Sequence, residues 1–354
     1  MTLEELGYNN HFHIFEKESI LDDFIIGRVT AEHKERYIVK SADGEFTAEI
    51  TGNMRFTAES REDFPAVGDW VAMSSFDDFG IIHKIFPRTS VISRKAAGKA
   101  GEVQIIAANV DYAFLVQSAG GDFNINRLDR YITICRTANT EPIIILTKID
   151  LSSDDILNEL IISIRARIKN IPIIPISSET KAGYFELHSI IEAGKTYCML
   201  GSSGAGKSTL LNNLAGVELM KTSSISESVN KGRHTTSHRE LIILSSGGIL
   251  IDNPGMREVG ITDCESGLEA AFELIYSLAQ ECKYADCTHQ TEDGCSVLEA
   301  LESGELDKDA YENYLKMEKE RAFFETSAAE RRKKDKYFGK VVKQYIKQNV
   351  KNRF

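Results

Sequence analysis

The sequence predicts a chain of several domains: a small N-terminal β-barrel, a central α/β domain on a parallel sheet, and a mainly helical C-terminal region. The length of 354 residues is enough for two or three domains. Short β-rich segments separated by turn residues fall within residues 24–92. From Val110, apolar runs of strand length alternate with amphipathic helical stretches, and after Gly260 only helical patterns follow, together with a cysteine cluster.

The N-terminal part is predicted to form a closed barrel of the OB type over residues 21–95. Residues 1–20 show little periodicity, and we expect them to form a loose leader. The five predicted strands are residues 24–29, 36–40, 45–50, 69–73 and 80–85. Periodicity alone does not separate an OB barrel from another small barrel. Such barrels commonly bind oligonucleotides, and a purely structural role stays equally open.

The central domain is predicted over residues 96–262. Its predicted strands are residues 111–116, 142–146, 171–176, 196–200, 241–244 and 249–251. Helical patterns at residues 127–139 and 154–168 fall between the first three strands. Buried strands that alternate with helices indicate a parallel sheet covered by helices on its faces.

The formal net charge of −11 argues against a uniformly basic protein that binds nucleic acid along its whole length. Residues 331–354 nevertheless hold ten Lys or Arg and one acidic residue, a local net of +9, so the remainder carries −20. This basic tail indicates a localised contact with RNA or phosphate, although a merely solvated basic helix fits almost as well. Apolar runs are too short for a transmembrane helix, and residues 1–10 lack the basic n-region and the apolar h-region that are typical of a signal peptide. We therefore expect a cytoplasmic protein with no membrane partner. We also expect it to be a monomer.

A glycine-rich stretch after the strand at residues 196–200 fits G-x-x-x-x-G-K-[ST]. Its residues are Gly201, Ser202, Ser203, Gly204, Ala205, Gly206, Lys207 and Ser208. Strand, glycine loop and helix form the context in which backbone N–H groups hold phosphate oxygens. Lys207 would reach the β- and γ-phosphates, and Ser208 would supply an oxygen to Mg²⁺. Thr209, the next residue, is assigned to the same nucleotide-binding set.

A second motif, Thr147-Lys148-Ile149-Asp150, follows the strand at residues 142–146 and fits the [NT]-K-x-D pattern that reads guanine. Asp150 can accept hydrogen bonds from N1–H and from the exocyclic amine of guanine, whereas adenine offers neither donor there. The stem of Lys148 would pack along the base. Ser177, after the next strand, begins a loop whose backbone N–H would meet guanine O6. The sequence therefore predicts GTP and GDP as ligands.

Residues 252–255 fit the D-x-x-G pattern of a switch loop. Asp252 would hold Mg²⁺ through a water, and the Gly255 N–H would sense the γ-phosphate. A threonine between the phosphate loop and this motif would complete the magnesium shell. We favour Thr235 over Thr236 for that role.

The guanine motif precedes the phosphate loop here, whereas ordinary GTPases have it after both other motifs. Circular permutation preserves such a site when the original termini lie close together. A barrel before this permuted order and a cysteine cluster after it resemble the circularly permuted, ribosome small subunit-dependent GTPase A family (RsgA, YjeQ or YloQ) over about residues 20–300. The resemblance implies GTP hydrolysis stimulated by the 30S subunit, a role in late maturation of that subunit, and rRNA contacts from the barrel and the C-terminal domain.

The catalytic group is predicted less directly. Met256 follows Gly255, where other GTPases carry a glutamine that positions water, and a thioether cannot do this. His234, next to Thr235, is the nearest candidate, and the family resemblance supports it; an exposed loop histidine is the alternative. Arg233 and Arg257 could neutralise charge in the transition state, and His238 is expected on the surface.

Cysteines and a histidine cluster within residues 282–295, in the C-terminal domain predicted over residues 263–354. The set is Cys282, Cys287, His289 and Cys295. Three thiolates and one imidazole suit one tetrahedral structural Zn²⁺ per chain. Buried, unliganded cysteines near a surface histidine are the alternative. Cys264 is expected to be a bystander, and Cys135 and Cys198 are expected in the core.

Two further classes of function stay open at this point. One is a GTP-gated RNA-binding module in which hydrolysis only resets binding. The other is a nucleotide enzyme such as a kinase, which needs an acceptor site for which the sequence shows no motif.

Overall fold

The structure, a computed structural model, describes residues 1–18, 21, 23–33, 36–95, 103–216, 240–252 and 265–322. The strands are β1 (Ile25–His33), β2 (Arg36–Ser41), β3 (Glu45–Ile50), β4 (Trp70–Phe76), β5 (Phe79–Ile85), β6 (Val91–Lys95), β7 (Val103–Ala108), β8 (Tyr112–Ser118), β9 (Glu141–Thr147), β10 (Ile173–Pro175), β11 (Thr196–Gly201), β12 (Glu240–Ile243) and β13 (Ile249–Asp252). The helices are α1 (Asn10–Glu18), α2 (Gly52–Thr57), α3 (Ile125–Thr137), α4 (Asp154–Arg167), α5 (Tyr184–Ser189), α6 (Lys207–Ala215), α7 (Glu265–Ala271), α8 (Glu273–Ala279), α9 (Ser296–Ser303) and α10 (residues 308–322).

The first five strands close into a barrel in the order β1-β2-β3-β5-β4, and β4 pairs back to β1. Only β3 and β5 run parallel; the other pairs are antiparallel. Alternate residues point inward, so that Val29, Val39, Ala48, Val71 and Ile82 meet in a buried core. This closed barrel of five strands confirms the predicted OB-type architecture.

The central sheet has the order β10-β9-β8-β11-β13-β12, and all neighbours are parallel except β12 against β13. Successive residues of β11 serve opposite faces. Cys198 and Leu200 pack with α3 and α4, whereas Tyr197 and Met199 pack with α5 and α6. The predicted α/β domain is confirmed, and Cys198 lies in its core as expected. Because the strands are parallel, the loops after β9 and β11 leave the sheet at one edge.

Two strand pairings connect or extend these parts in ways the sequence did not indicate. β1 pairs with β12 at Ala31 and Glu240, so that the barrel and the central sheet form one continuous hydrogen-bonded sheet. β6 does not join the barrel; it pairs with β7 as a separate antiparallel ribbon.

The predicted looseness of the leader is wrong for its described residues. Leu6, Tyr8 and Phe12 are buried and pack against the barrel residue Trp70, and α1 begins at Asn10. These apolar side chains are irregularly spaced in the sequence because the surface that they cover belongs to another element, the barrel. The leader is thus part of the fold.

The C-terminal helices α7 to α10 pack around Phe272, Ile275, Val297 and Met317. The helical run predicted over residues 265–279 is interrupted at Phe272, whose φ of −122° and ψ of 42° are not helical. Phe272 is buried, and its ring lies 5.5 Å from the ring of Tyr314. The packing of Phe272 between helices therefore accounts for this break in the helical run.

Helix α3 joins this C-terminal region to the central domain. Arg130 forms a two-pronged ion pair with Glu320, at 3.1 and 2.6 Å, and Asn313 donates to Asp129 at 2.9 Å. Gly267 of α7 lies so close to α3 that a Cβ would meet the Thr133 carbonyl oxygen at 2.3 Å. No helix in the described part of the chain is both long and apolar enough to cross a lipid bilayer.

Candidate functional site

The glycine-rich stretch forms a tight loop between a buried strand and a helix. β11 is buried along its length and ends at Gly201, and α6 begins at Lys207. Gly204 and Gly206 have φ angles of 81° and 93°, which other residues adopt only under strain. The sequence therefore folds locally into the turn that a phosphate-binding loop requires, with the N-terminus of α6 at its end.

The ammonium group of Lys207 lies back over this loop. Its Nζ donates to the carbonyl oxygens of Gly201 at 2.7 Å and Ser202 at 2.6 Å. A fixed positive charge over a phosphate-binding loop can neutralise the charge of a nucleotide's terminal phosphates.

The predicted guanine motif touches the phosphate loop directly. The Thr147 hydroxyl donates to the Ala205 carbonyl oxygen at 2.7 Å, and Lys148 Nζ donates to the Gly204 carbonyl oxygen at 2.8 Å. Lys148 has a φ of 59°, and this left-handed backbone turns the chain at the end of β9. The structure thus brings the two motifs into one site. Thr147 is buried and its hydroxyl faces the loop, so it supports the loop rather than reading a base.

Asp150 is oriented by a serine that follows the neighbouring strand. The Ser177 hydroxyl donates to Asp150 Oδ1 and accepts from the Thr180 backbone N–H at 3.1 Å. Ser177 is fully buried, so its hydroxyl holds the carboxylate in place from within the fold. The sequence placed Ser177 in the base-binding loop, but it did not indicate this side-chain contact.

The structure describes only part of the predicted magnesium shell. Ser208 and Thr209 lie in the first turn of α6. Asp252 ends β13, which runs parallel to β11 with Ile251 opposite Cys198. The remaining predicted groups lie outside the described residues: His234, Thr235, Thr236, Gly255, Met256, Arg233, Arg257, His238, Cys264 and the basic tail at residues 331–354.

One group near the phosphate loop was not singled out from the sequence. Arg127 Nη1, on the first turn of α3, donates to the Ser202 hydroxyl at 3.0 Å and lies 3.4 Å from Asp122 Oδ2. No local motif marks an arginine whose partner is 75 residues away.

The predicted metal ligands converge in the C-terminal region. The ligand atoms of Cys282, Cys287, His289 and Cys295 all lie within 4.8 Å of one another. His289 Nδ1 is 3.6 Å from Cys282 Sγ and 3.5 Å from Cys295 Sγ, and the two sulfurs are 3.9 Å apart. With Zn–S bonds of about 2.3 Å, the edge of a tetrahedron is roughly 3.8 Å. The donor set and its spacing therefore fit a tetrahedral metal ion.

The surrounding residues hold the histidine ligand in position. Burial lowers the pKa of His289, which favours the neutral imidazole that can bind a metal. The Tyr311 hydroxyl donates to the His289 carbonyl oxygen at 2.6 Å. The Glu292 carboxylate accepts from the backbone N–H groups of Thr288, Gln290 and Thr291, which closes the loop around His289.

Comparisons with known proteins find related GTPases. A family model described as RsgA GTPase matches residues 85–262. "Small ribosomal subunit biogenesis GTPase RsgA 2" of Listeria monocytogenes serotype 4b is 40% identical and is matched over 100% of this chain and 99% of that protein. "Small ribosomal subunit biogenesis GTPase RsgA" of Opitutus terrae is 38% identical over 91% of this chain and 90% of that protein.

Two solved structures are similar as well. The crystal structure of YjeQ from Thermotoga maritima has a TM-score of 0.62 and 26% identity, over 83% of this chain and 97% of that chain. The structure of YloQ, described as a circularly permuted GTPase, has a TM-score of 0.60 and 27% identity, over 83% and 94%.

Proposed function

Because the chain belongs to the RsgA GTPase family and is therefore a GTP-hydrolysing enzyme, we propose that it couples hydrolysis to late maturation of the small ribosomal subunit. The names of its relatives support this role. Within the structure, the observation that supports the GTP-binding part of this proposal is the contact of Thr147 and Lys148 with Ala205 and Gly204. This contact brings the proposed base-reading loop against the phosphate loop, as a single nucleotide site would require.

Each nucleotide-binding residue has a proposed role. Residues 201–209 hold the phosphates, and Lys207 neutralises their charge. Asp150 accepts from the guanine edge, Lys148 covers the base, and Ser177 orients Asp150. Ser208, Thr235 and Asp252 would hold Mg²⁺, directly or through water. When bound, Mg²⁺ neutralises the charge that develops on the phosphates.

The proposed catalytic set is His234, Lys207, Thr235 and Gly255. The sequence gives Met256 in place of a glutamine, so another group has to orient the attacking water. His234 is the proposed group, because an imidazole can accept a proton or hold a water where a thioether cannot. We further propose that binding of the ribosomal subunit positions this histidine.

We propose that the cluster of Cys282, Cys287, His289 and Cys295 holds one structural Zn²⁺. Four protein ligands leave no open coordination position, so the ion would stabilise the fold and take no part in hydrolysis. The ion would cross-link the chain between α8 and α9, beside Tyr311 of α10, whose hydroxyl donates to the His289 carbonyl oxygen.

We also propose a monomeric state and a cytoplasmic location. The proposed domains are residues 1–20, 21–95, 96–262 and 263–354. The rRNA contacts are assigned to the barrel and to the C-terminal domain with its basic tail. Local positive charge at residues 331–354 supports the second assignment, because contacts with rRNA phosphates draw mainly on such charge.

To test this function, the rate of GTP hydrolysis is measured with and without purified 30S subunits, for the wild type and for His234→Ala. Unassisted turnover should be slow, on the order of 10⁻⁴ to 10⁻² s⁻¹. Subunits should raise it, and His234→Ala should lose most of that stimulation while keeping its affinity for GDP. His238→Ala, in the same stretch of sequence, is the matched control and should behave as wild type.

The same preparation separates this role from a GTP-gated RNA-binding module. Co-sedimentation with 30S and 50S subunits is measured in GDP and in a non-hydrolysable GTP analogue. Binding to 30S that depends on the nucleotide, without any stimulation of hydrolysis, would favour the binding module. Absence of binding to 30S in either state would exclude both roles.

A further inference from the structure

Four polar side chains connect the loop at residues 176–183, which we call the base loop, to helix α6. Ser178 and Lys181 belong to the base loop, Tyr184 begins α5, and Asn213 lies on α6. The Tyr184 hydroxyl lies 3.0 Å from Ser178 Oγ and accepts from Asn213 Nδ2 at 2.8 Å. Asn213 Oδ1 accepts from Lys181 Nζ at 2.6 Å. We call these four residues the tyrosine network.

The hydrogen-bond roles within the tyrosine network are mutually consistent. Lys181 can only donate, so the Asn213 oxygen must face it and the Asn213 amide nitrogen must face Tyr184. Tyr184 therefore accepts from Asn213 and has its own hydrogen left for Ser178. Tyr184 is buried, and Lys181 Nζ also lies 5.4 Å from the centre of its ring. A fully satisfied set of this kind favours one arrangement of the groups that it joins.

The base loop is held from two sides. Ser177 fixes it to Asp150, and the tyrosine network fixes it to α6. Since α6 begins at Lys207 of the phosphate loop, the network sets the position of the base loop relative to the phosphates.

The base loop also presents unused backbone donors. Among the described residues, the backbone N–H groups of Ser178 and Glu179 have no acceptor in the protein, whereas those of Ser177 and Thr180 on either side do. Two adjacent donors at the edge of a base site suit a single carbonyl acceptor such as guanine O6.

We propose that Tyr184 and Asn213 are positioning residues that hold the backbone donors of Ser178 and Glu179 against guanine O6. This inference rests on the guanine site of the proposed function. Neither side chain touches a reacting atom. Their effect is on the choice of base and on affinity, through the backbone of the base loop.

The test compares GTP with 6-thioguanosine triphosphate, which keeps N1–H and the exocyclic amine but replaces O6 by sulfur, a weaker acceptor. Affinities are measured by displacement of a fluorescent GDP analogue from the full-length protein. Wild type should prefer GTP. Tyr184→Phe and Asn213→Ala should each weaken GTP about five- to tenfold, as expected for the loss of one or two hydrogen bonds. They should weaken the thio analogue much less, so that the preference for GTP shrinks.

Tyr197→Phe is the matched control. Its hydroxyl also makes two hydrogen bonds, from the Glu192 N–H at 3.0 Å and to the Ile190 carbonyl oxygen at 2.9 Å, but it lies outside the base loop. This variant should lose stability without any change in base preference. Ser178→Ala, at the half-exposed end of the network, provides a variant that avoids a large packing defect and should also reduce the preference.

Equal weakening of GTP and the thio analogue in Tyr184→Phe, or no change in either, would overturn the positioning role. If the wild type bound ATP as tightly as GTP, the guanine site itself would fail, and the proposed function with it. The two failures are therefore distinguished by the wild-type measurement alone.

Discussion

The hydroxyl of Thr147 donates a hydrogen bond of 2.7 Å to the carbonyl oxygen of Ala205, 58 residues further along the chain. Ala205 is the fifth residue of the phosphate loop and is buried, so no water can replace this donor. A buried carbonyl group without a partner costs free energy. The shape of the phosphate loop therefore depends on a residue that belongs, in sequence, to the guanine motif.

Replacement of Thr147 by valine should weaken both GTP and GDP, since it keeps the shape of the side chain and removes the donor. We expect a loss of about five- to thirtyfold in affinity, as for a buried acceptor left unpaired at about 1–2 kcal/mol. Titration with a fluorescent GDP analogue measures it. Thr140→Val, another buried threonine whose hydroxyl donates to a carbonyl oxygen, at Val110, is the control and should bind normally. Unchanged affinity in Thr147→Val would show that the loop keeps its shape without this bond.

Asp150→Asn should shift the preference from GTP towards xanthosine triphosphate. The amide presents a donor where guanine also presents donors, whereas xanthine offers a carbonyl oxygen at the 2-position. Competition between the two nucleotides measures the shift. Asp155→Asn, an exposed carboxylate on the first turn of α4, should leave the preference unchanged. A variant at Asp150 that binds GTP as well as wild type would contradict the assignment of this loop.

Arg28 connects three parts of the chain through backbone carbonyl groups. Its guanidinium is buried and donates to Leu6 of the leader at 2.6 Å, Gly68 of the barrel at 3.1 Å and Asn109 before β8 at 3.1 Å. Burial lowers the pKa of Arg28 to about 10, which still leaves it charged at neutral pH.

Arg28→Met should therefore lower the free energy of unfolding by about 2–4 kcal/mol, because the buried carbonyl groups of Leu6 and Asn109 lose their Arg28 donor and Gly68 keeps only the Asn109 side-chain amide. Urea denaturation measures the change. The control is Arg36→Met, since the Arg36 side chain is 67% exposed and its ion pair with Glu49 lies on the surface. That pair should contribute at most about 1 kcal/mol. Equal losses in the two variants would mean that the three carbonyl contacts add nothing.

Metal analysis of the purified protein should find one zinc ion per chain. Cys287→Ser should release it and destabilise the C-terminal region more than the nucleotide-binding domain, because structural zinc binding is coupled to local folding. Hydrogen exchange over residues 265–322, compared with that of residues 103–216, measures the difference. Cys264→Ser should keep its zinc. If protein purified without chelators contained no zinc, the assignment of a zinc site would be wrong.

The nucleotide motifs were predictable from the sequence because their chemistry requires particular residue types at fixed spacing. Gly206 and Lys207 at the start of α6, and Asp150 after β9, are placed where the pattern indicated. The order of strands along the chain also follows local apolar runs. The predicted strand at residues 142–146 lies within β9, and the predicted helix at residues 154–168 matches α4 to one residue.

Contacts between distant elements were not predictable in the same way. Leu6 lies before α1 and Phe12 lies within it, and they show no common period because both cover the barrel. In the sequence, Arg28 looks like an ordinary strand residue, because the carbonyl groups that it contacts come from distant parts of the chain. The break at Phe272 and the ribbon formed by β6 and β7 depend on packing and pairing that no local pattern encodes.

The pairing of Ala31 with Glu240 has one more consequence. β12 is the last strand of the central sheet on that side, and an unpaired strand edge exposes N–H and C=O groups to which other chains can add. The barrel strand β1 pairs with this edge at Glu240, where β12 begins. A shortened chain that begins after the barrel would leave the edge open, and we expect it to self-associate and to lose solubility. We therefore expect the barrel to protect this end of the nucleotide-binding domain from aggregation, independently of anything that it binds.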